Sequence, residues 1–125
     1  MANSLKEILA AANSSVPTIS PQDAKTLIER GEVLVVDVRD GLEIQNSGKV
    51  QGAKHVGRGM LEFRADPDSP YYDNAFNRDK TVIVYCASGG RSALAGKTLK
   101  DMGYTDVRNL GGFKGWVDSG GAVEK

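Results

Sequence analysis

Cys86 is the only cysteine of the chain, and it stands where the apolar run Thr81-Val82-Ile83-Val84-Tyr85 breaks into Ala87-Ser88-Gly89-Gly90-Arg91-Ser92. The run reads as a strand and the residues beyond the glycines as a helix, which leaves the thiol in the short loop between them. Such a loop turns successive backbone N–H groups, and the positive end of the helix dipole, onto whatever it encloses, and so favours an anion. The reactive form of cysteine is the thiolate, and an ordinary pKa of about 8.5 leaves only a few per cent ionised at neutral pH. Lowering it by two units takes roughly 2.7 kcal/mol, which converging N–H groups and the Arg91 cation can supply. Gly89 and Gly90 permit positive φ and close backbone approach, and Ser92 has the chemistry to open the helix. A lone cysteine is more commonly a small buried hydrophobe; the loop around Cys86 is what points instead to a nucleophile.

Composition narrows the chemistry. With 125 residues, 40% of them hydrophobic, the chain has the size of one domain with a sizeable core. Sixteen basic and sixteen acidic residues cancel, which argues against bulk attraction to nucleic acid or to an anionic membrane and leaves anion recognition to local groups. One cysteine cannot form an intrachain disulfide, and with one histidine it cannot make an ordinary structural zinc site, so catalysis without metal or cofactor is expected. No stretch reaches the length of a transmembrane helix. Lys6 and Glu7 ahead of the short run Ile8 to Ala12 make a poor signal peptide, so a cytoplasmic protein is expected.

The elements that must position Cys86 follow from periodicity. Leu5, Ile8, Leu9 and Ala12 share one helix face, so residues 1–17 read as an N-terminal helical segment that docks on its own domain, residues 18–125, with another subunit as the alternative. Ser20-Pro21-Gln22-Asp23 reads as a helix start with Ser20 as N-cap; Ala24, Leu27 and Ile28 form its buried stripe and Gly31 its end. Val33 to Val38 and Thr81 to Tyr85 are β-branched runs of the kind found in strands covered on both faces. Ala95, Leu99 and Met102 mark a helix ending at Gly103, and Val107 to Leu110 a further strand. Strand, helix, strand at this spacing is a right-handed crossover, which gives an α/β fold with a largely parallel sheet. Ligands of such sheets bind outside the carboxyl ends of the strands, and Cys86 is at one of them. Asp66 to Asn74, rich in turn formers, is the expected long surface loop.

Three blocks resemble the rhodanese family of single-domain sulfurtransferases. They are Asp37-Val38-Arg39-Asp40 with Glu43, running on to Gly48-Lys49-Val50-Gln51-Gly52-Ala53-Lys54-His55-Val56; Cys86 to Ser92; and Gly111-Gly112-Phe113-Lys114-Gly115-Trp116. Their order and spacing cover nearly the whole chain. The resemblance implies a mostly parallel five-stranded sheet flanked by helices, a cysteine that carries sulfur as a persulfide, and thiosulfate-like or persulfidic donors. One position departs: Gly48-Lys49-Val50 stands where the family commonly has Gly-His-Ile, and Lys49 reads as an exposed structural position.

The chemistry so implied has two halves. Cys86 thiolate attacks the outer sulfur of a small anionic donor, and a thiol, cyanide or protein acceptor then takes the sulfur from the persulfide. The N–H groups of Ala87, Ser88, Gly89, Gly90, Arg91 and Ser92 can stabilise the persulfide anion, and Arg91 either reinforces the loop or meets the donor. His55, the sole histidine, reads as structural, closing a strand beside the loop, with a Cys–His dyad as the alternative. Asp37 and Arg39 read as an ion pair at a strand end, with donor recognition as the alternative. Arg58 and Arg64, flanking Gly59 to Phe63, read as a solvated face that could attract an anionic donor. Phe113 and Trp116 read as core aromatics. A cysteine phosphatase or arsenate reductase is the rival enzyme, but its loop has five residues between cysteine and arginine where this chain has four. A sulfur-carrying or regulatory module acting on a protein partner is the rival outside catalysis, and a monomer and a homodimer are both compatible with the sequence.

Overall fold

The computed structural model describes residues 3–125. Strands β1 (Val33–Asp37) and β4 (Thr81–Cys86) lie side by side and parallel, with Val33 opposite Thr81 and Asp37 opposite Tyr85. Both are buried almost throughout, as continuous β-branched runs require. β3 (Lys54–His55) pairs parallel with the outer edge of β1, and β5 (Val107–Gly112) with the outer edge of β4, giving the order β3-β1-β4-β5. This is an α/β fold around a parallel sheet.

The sheet has four strands rather than the five expected. Beside β5 there is only a bridge at Thr18, where Asn109 donates its backbone N–H to the Pro17 carbonyl at 2.9 Å and accepts from Ile19 N–H at 3.0 Å. Pro17 has no N–H to extend the ladder, and α2 (Pro21–Arg30) begins three residues after Thr18, so no strand develops. A separate antiparallel ribbon joins β2 (Lys49–Val50) to β6 (Val123–Glu124). Lys49 is consequently half-buried, not exposed: its Nζ donates to the Ala53 carbonyl at 2.6 Å and lies 3.2 Å from the Glu124 carboxylate.

Helices cover both faces. On one, Leu34, Val36, Val82, Val84 and Cys86 pack under α4 (Leu61–Ala65) and α5 (Gly90–Asp101), with Leu61, Ala95 and Leu99 fully buried. On the other, Val35, Ile83 and Tyr85 meet Ala24 of α2 and Phe113 and Trp116 of α6 (Phe113–Asp118). Burial of each such large side chain contributes about 1.5–3 kcal/mol. The start of α2 is as expected, with Asp23 N–H donating to Ser20 Oγ at 3.1 Å and Gly31 ending the helix at φ +75°.

α1 (Leu5–Ser15) lies against α5, and Gly96 makes the approach possible, since a Cβ there would stand 2.9 Å from Val16 Cγ1. Only the last turn of the expected apolar face is covered. Ala12 is buried and Leu9 half-buried, whereas Leu5 and Ile8 are 64% and 41% exposed. Residues 1 and 2 of the expected segment lie outside the described residues. Among the described residues no helix is long and apolar enough to cross a membrane.

Candidate active site

β4 delivers Cys86 to its carboxyl end, and the chain turns through Ala87 and Ser88, both exposed, to Gly89. Gly89 sits at φ +101°, a conformation that side chains with a Cβ rarely adopt, and there it caps α5. This sharp entry points its N–H at Cys86 Sγ, 3.0 Å away. Ser92 does not open the helix, as its residue type suggested; it is the third helical residue, fully buried, with Oγ 3.4 Å from Sγ. The helix opens on glycine because the turn needs positive φ, which releases the serine to face the sulfur.

The thiol itself is fully buried. Burial is the largest single influence on its ionisation and pushes the pKa up, but hydrogen bonds from the Ser92 hydroxyl and from the N–H groups of Ser92, Gly89 and Ser88 together bring it below the ordinary value. The hydrogen bonds that favour the thiolate therefore come from neutral donors, while Arg91 senses the sulfur through its charge alone.

Arg91 is spent elsewhere. Its two terminal nitrogens donate to the two carboxylate oxygens of Glu43, at 2.7 and 2.9 Å. Glu43 lies in α3 (Gly41–Ser47) and also accepts the Asp40 N–H at 3.0 Å, so the pair ties the loop after β4 to the start of α3. The guanidinium's hydrogen bond holds the Glu43 carboxyl down at about 2, and the carboxylate in turn raises Arg91. Of the two roles open to Arg91, this geometry is that of the loop brace.

At the adjacent strand end, Asp37 and Arg39 form a buried ion pair, with Nη2 2.8 Å from Oδ2 and Nε 3.0 Å from Oδ1. Arg39 also donates to Ser47 Oγ at 2.9 Å and to the Gly48 carbonyl at 2.7 Å, and its guanidinium carbon stands 4.4 Å over the Phe113 ring. Burial lowers the Arg39 pKa, but the hydrogen bond and charge of Asp37, backed by Tyr85 and Glu43, raise it overall. His55 Nε2 lies 2.8 Å from the Arg39 carbonyl, on a strand two places from β4. Arg58, in the helical turn before α4, is paired with Glu62 at 2.9 Å and bonds Thr98 Oγ1 at 3.0 Å. Arg64 is exposed on α4.

Two participants escaped the sequence reading. Glu43 stands in the sequence only as part of a block, although its place three residues after Asp40 fits a helix-capping partner that could also reach a neighbouring cation. Asn109 is hidden beside the charged Arg108; its signal is a polar side chain on the same strand face as Val107, where the strand is buried. Its Oδ1 receives the Ser92 hydroxyl at 2.7 Å and Gly111 N–H at 2.9 Å, and its Nδ2 donates to the Gly89 carbonyl at 3.2 Å. The end of β5 closes the loop from behind: a Cβ on Gly112 would stand 2.6 Å from the Ala87 carbonyl oxygen. Among the described residues no group of three or more His, Cys, Asp or Glu could hold a metal ion.

The family model of the rhodanese-like domain matches residues 20–119. A thiosulfate sulfurtransferase GlpE of Pseudomonas fluorescens is 36% identical over 104 residues, covering 82% of this chain and 86% of its own. A putative sulfur carrier protein YrkF of Bacillus subtilis is 31% identical over 106 residues; the match covers 83% of this chain but only 52% of that relative's length. A solved structure from Rhodopseudomonas palustris, described as a protein of unknown function and possible tyrosine phosphatase, superposes with a TM-score of 0.90 at 46% identity, covering 99% of this chain and 96% of that one.

Proposed function

The chain belongs to the rhodanese-like domain family, and from that premise we propose that it moves a sulfane sulfur from a thiosulfate-like or persulfidic donor to a thiophilic acceptor through a persulfide on Cys86. The observation that carries the reading is a buried sulfur held by the Gly89 N–H and faced by the Ser92 hydroxyl, in a loop whose cation is engaged by Glu43. In the first half-reaction the Cys86 thiolate forms an S–S bond to the outer sulfur of thiosulfate, and the S–S bond of the donor breaks with its electron pair on sulfite. The product, Cys86–S–S⁻, keeps its negative charge on the terminal sulfur, where loop N–H groups can bind it as an oxyanion hole binds developing charge. In the second half-reaction a thiolate or cyanide takes that sulfur and returns Cys86 to thiolate. No general base is needed, since no alcohol or water is deprotonated. The reading takes residues 18–125 as the working unit, in the cytoplasm.

The possible phosphatase description attached to the Rhodopseudomonas palustris structure makes the anion-ester reading worth weighing. A phosphate-gripping loop needs its arginine turned onto the anion, whereas Arg91 already makes a two-point pair with Glu43. The four-residue interval from Cys86 to Arg91 also encloses less room than the five of that enzyme class. Both features favour a sulfur atom over a tetrahedral phosphate. Transfer to a protein partner, suggested by the sulfur carrier relative, remains within the same chemistry and differs only in the acceptor.

Incubation with thiosulfate should add about 32 Da to the intact mass of the wild-type protein, reversibly with cyanide or a thiol. No gain in the wild type, or an equal gain in Cys86→Ala, overturns the persulfide; aryl phosphate turnover without sulfur loading hands the site to the phosphatase reading.

A further inference from the structure

The Ser92 hydroxyl has one proton and two neighbours that could take it, Cys86 Sγ at 3.4 Å and Asn109 Oδ1 at 2.7 Å. Which of them holds it is decided by Asn109. An amide can be turned either way round, but this one is pinned at both ends by backbone groups of fixed character. Gly111 N–H can only donate, so the atom 2.9 Å from it is the amide oxygen. The Gly89 carbonyl can only accept, so the atom 3.2 Å from it is the amide nitrogen. The oxygen therefore faces Ser92, and the serine must donate to it. Ser92 Oγ then presents lone pairs, not its proton, to the sulfur, an arrangement that suits a neutral S–H donor. A thiolate needs the opposite arrangement, with the hydroxyl proton turned to sulfur. Turning it leaves Asn109 Oδ1 with the Gly111 N–H as its remaining partner.

We propose that Asn109 is a positioning residue for the Cys86 sulfur: it holds the Ser92 hydroxyl proton away from Sγ while the thiol is neutral and gives it up when the sulfur becomes an anion. On ionisation the S–H proton leaves to solvent base and the Ser92 O–H rotates from Oδ1 to Sγ; no covalent bond to serine or asparagine changes. The same rotation places the hydroxyl to serve a persulfide anion on Cys86, and in that respect the inference rests on the proposed sulfur transfer. Asn109 acts a second time through its Nδ2, which steadies the Gly89 carbonyl and with it the peptide whose neighbouring N–H points at Sγ. β5 thus reports to the sulfur on β4 through one side chain.

The ion pairs on the elements around the sulfur join Arg91 of α5 to Glu43 of α3, Asp37 to Arg39 at the end of β1, Arg58 to Glu62 beside α4, Lys97 to Asp101 within α5, and Arg108 of β5 to Asp106, and Lys100 of α5 and Arg64 of α4 add two further cations. His55 of β3 is the one imidazole and Asp40 heads α3. None of these is altered by substitution at position 109; Asn109→Asp adds one carboxylate of its own, so the sign of the Asn109→Leu shift is what separates positioning from charge.

The test is the pH profile of Cys86 alkylation in Asn109→Leu and Asn109→Asp. Leucine removes the competing acceptor, frees the Ser92 proton for the thiolate and should raise the alkylation rate at pH 6 about threefold, half a pKa unit. Aspartate keeps the acceptor and strengthens it, and should lower the rate about threefold. A residue that merely props the loop would give the same sign for both, and that outcome overturns the proposal. In Ser92→Ala the effect of Asn109→Leu should vanish; its persistence there is equally fatal. Should the position-109 variants fail to fold, the Gly111 amide resonance of the wild type carries the test: it should titrate with Cys86, and lose that titration in Ser92→Ala. A Gly111 resonance that does not follow Cys86, or that titrates equally in Ser92→Ala, overturns the proposal. Alkylation reads the resting thiol and needs no sulfur donor. Opposite shifts without thiosulfate loading would support the positioning role and remove the transferase reading, whereas loading with same-sign shifts would remove only the positioning role.

Discussion

Two neighbouring strands of the same sheet end in buried acidic groups and treat them in opposite ways. β1 ends in Asp37, which is fully buried and is met by the guanidinium of Arg39 through three hydrogen bonds. β4 ends in Cys86, equally buried, met by a backbone N–H and a hydroxyl while the nearby Arg91 is bound to Glu43. A carboxylate locked to a cation, with the cation also tied to Ser47 and Gly48, is a fixed charge pair that shapes the corner. A sulfur held by neutral dipoles can gain and lose charge, and gain and lose an atom, without leaving a bare cation behind. The difference separates architecture from chemistry at one end of the sheet.

The largest effect should come from breaking the closed end. Arg39→Met leaves Asp37 buried without its partner and should cost about 3–5 kcal/mol, read as a fall in the denaturant midpoint. A loss below about 1 kcal/mol would mean that Asp37 is not the committed charge described. At the open end, Gly112→Ala pushes a Cβ into the Ala87 carbonyl, and should slow thiosulfate turnover more than tenfold while costing about 1–3 kcal/mol of stability. Unchanged turnover would show that the back of the loop does not fix the sulfur. Inserting one glycine between Gly89 and Gly90 should reduce turnover about tenfold, roughly 1.4 kcal/mol, by spreading the N–H groups. Sulfur transfer that survives the insertion would remove loop length as a determinant.

The smallest effect belongs to the brace. Glu43 has a carboxyl held at about 2, below its unfolded value of about 4.3, so its contribution is present above pH 4.3 and is lost as pH falls toward 2. Because the pair is partly open to water, Glu43→Gln should cost only about 1 kcal/mol at pH 7, and clearly less at pH 2, in denaturant titrations. A cost that is the same at both pH values would show that the pair is not what the glutamate contributes.

What could be read from the sequence was whatever repeats locally. The β-branched runs at 33–38 and 81–85, the Ser20-Pro21 start and the loop around Cys86 each declare themselves within a few residues. What could not be read depends on meetings across the chain. Glu43 reaches Arg91 across 48 residues and Asn109 reaches Ser92 across 17, and spacing along the chain gives no distance for either. Ser92 illustrates the conflict between local and tertiary preference: its type favours a helix cap, but the positive φ required at the turn gave that place to Gly89. The missing fifth strand turns on Pro17, whose lack of an N–H is plain in the sequence, although the edge it would have to extend is visible only in the fold.

The ribbon of β2 and β6 governs how the molecule opens. Gly52 N–H meets the Glu124 carboxylate at 2.6 Å and Gln51 N–H meets the Ala122 carbonyl at 3.0 Å, so two short segments are stitched together across a sequence separation of 72. Closing so long a loop demands chain entropy that only two short strands return, which makes the ribbon a late step in folding and the first to fray. Amide exchange should therefore be fast at Gln51 and Gly52 and slow at Val82 to Tyr85, so that the ribbon opens while the sulfur-bearing strand is still protected.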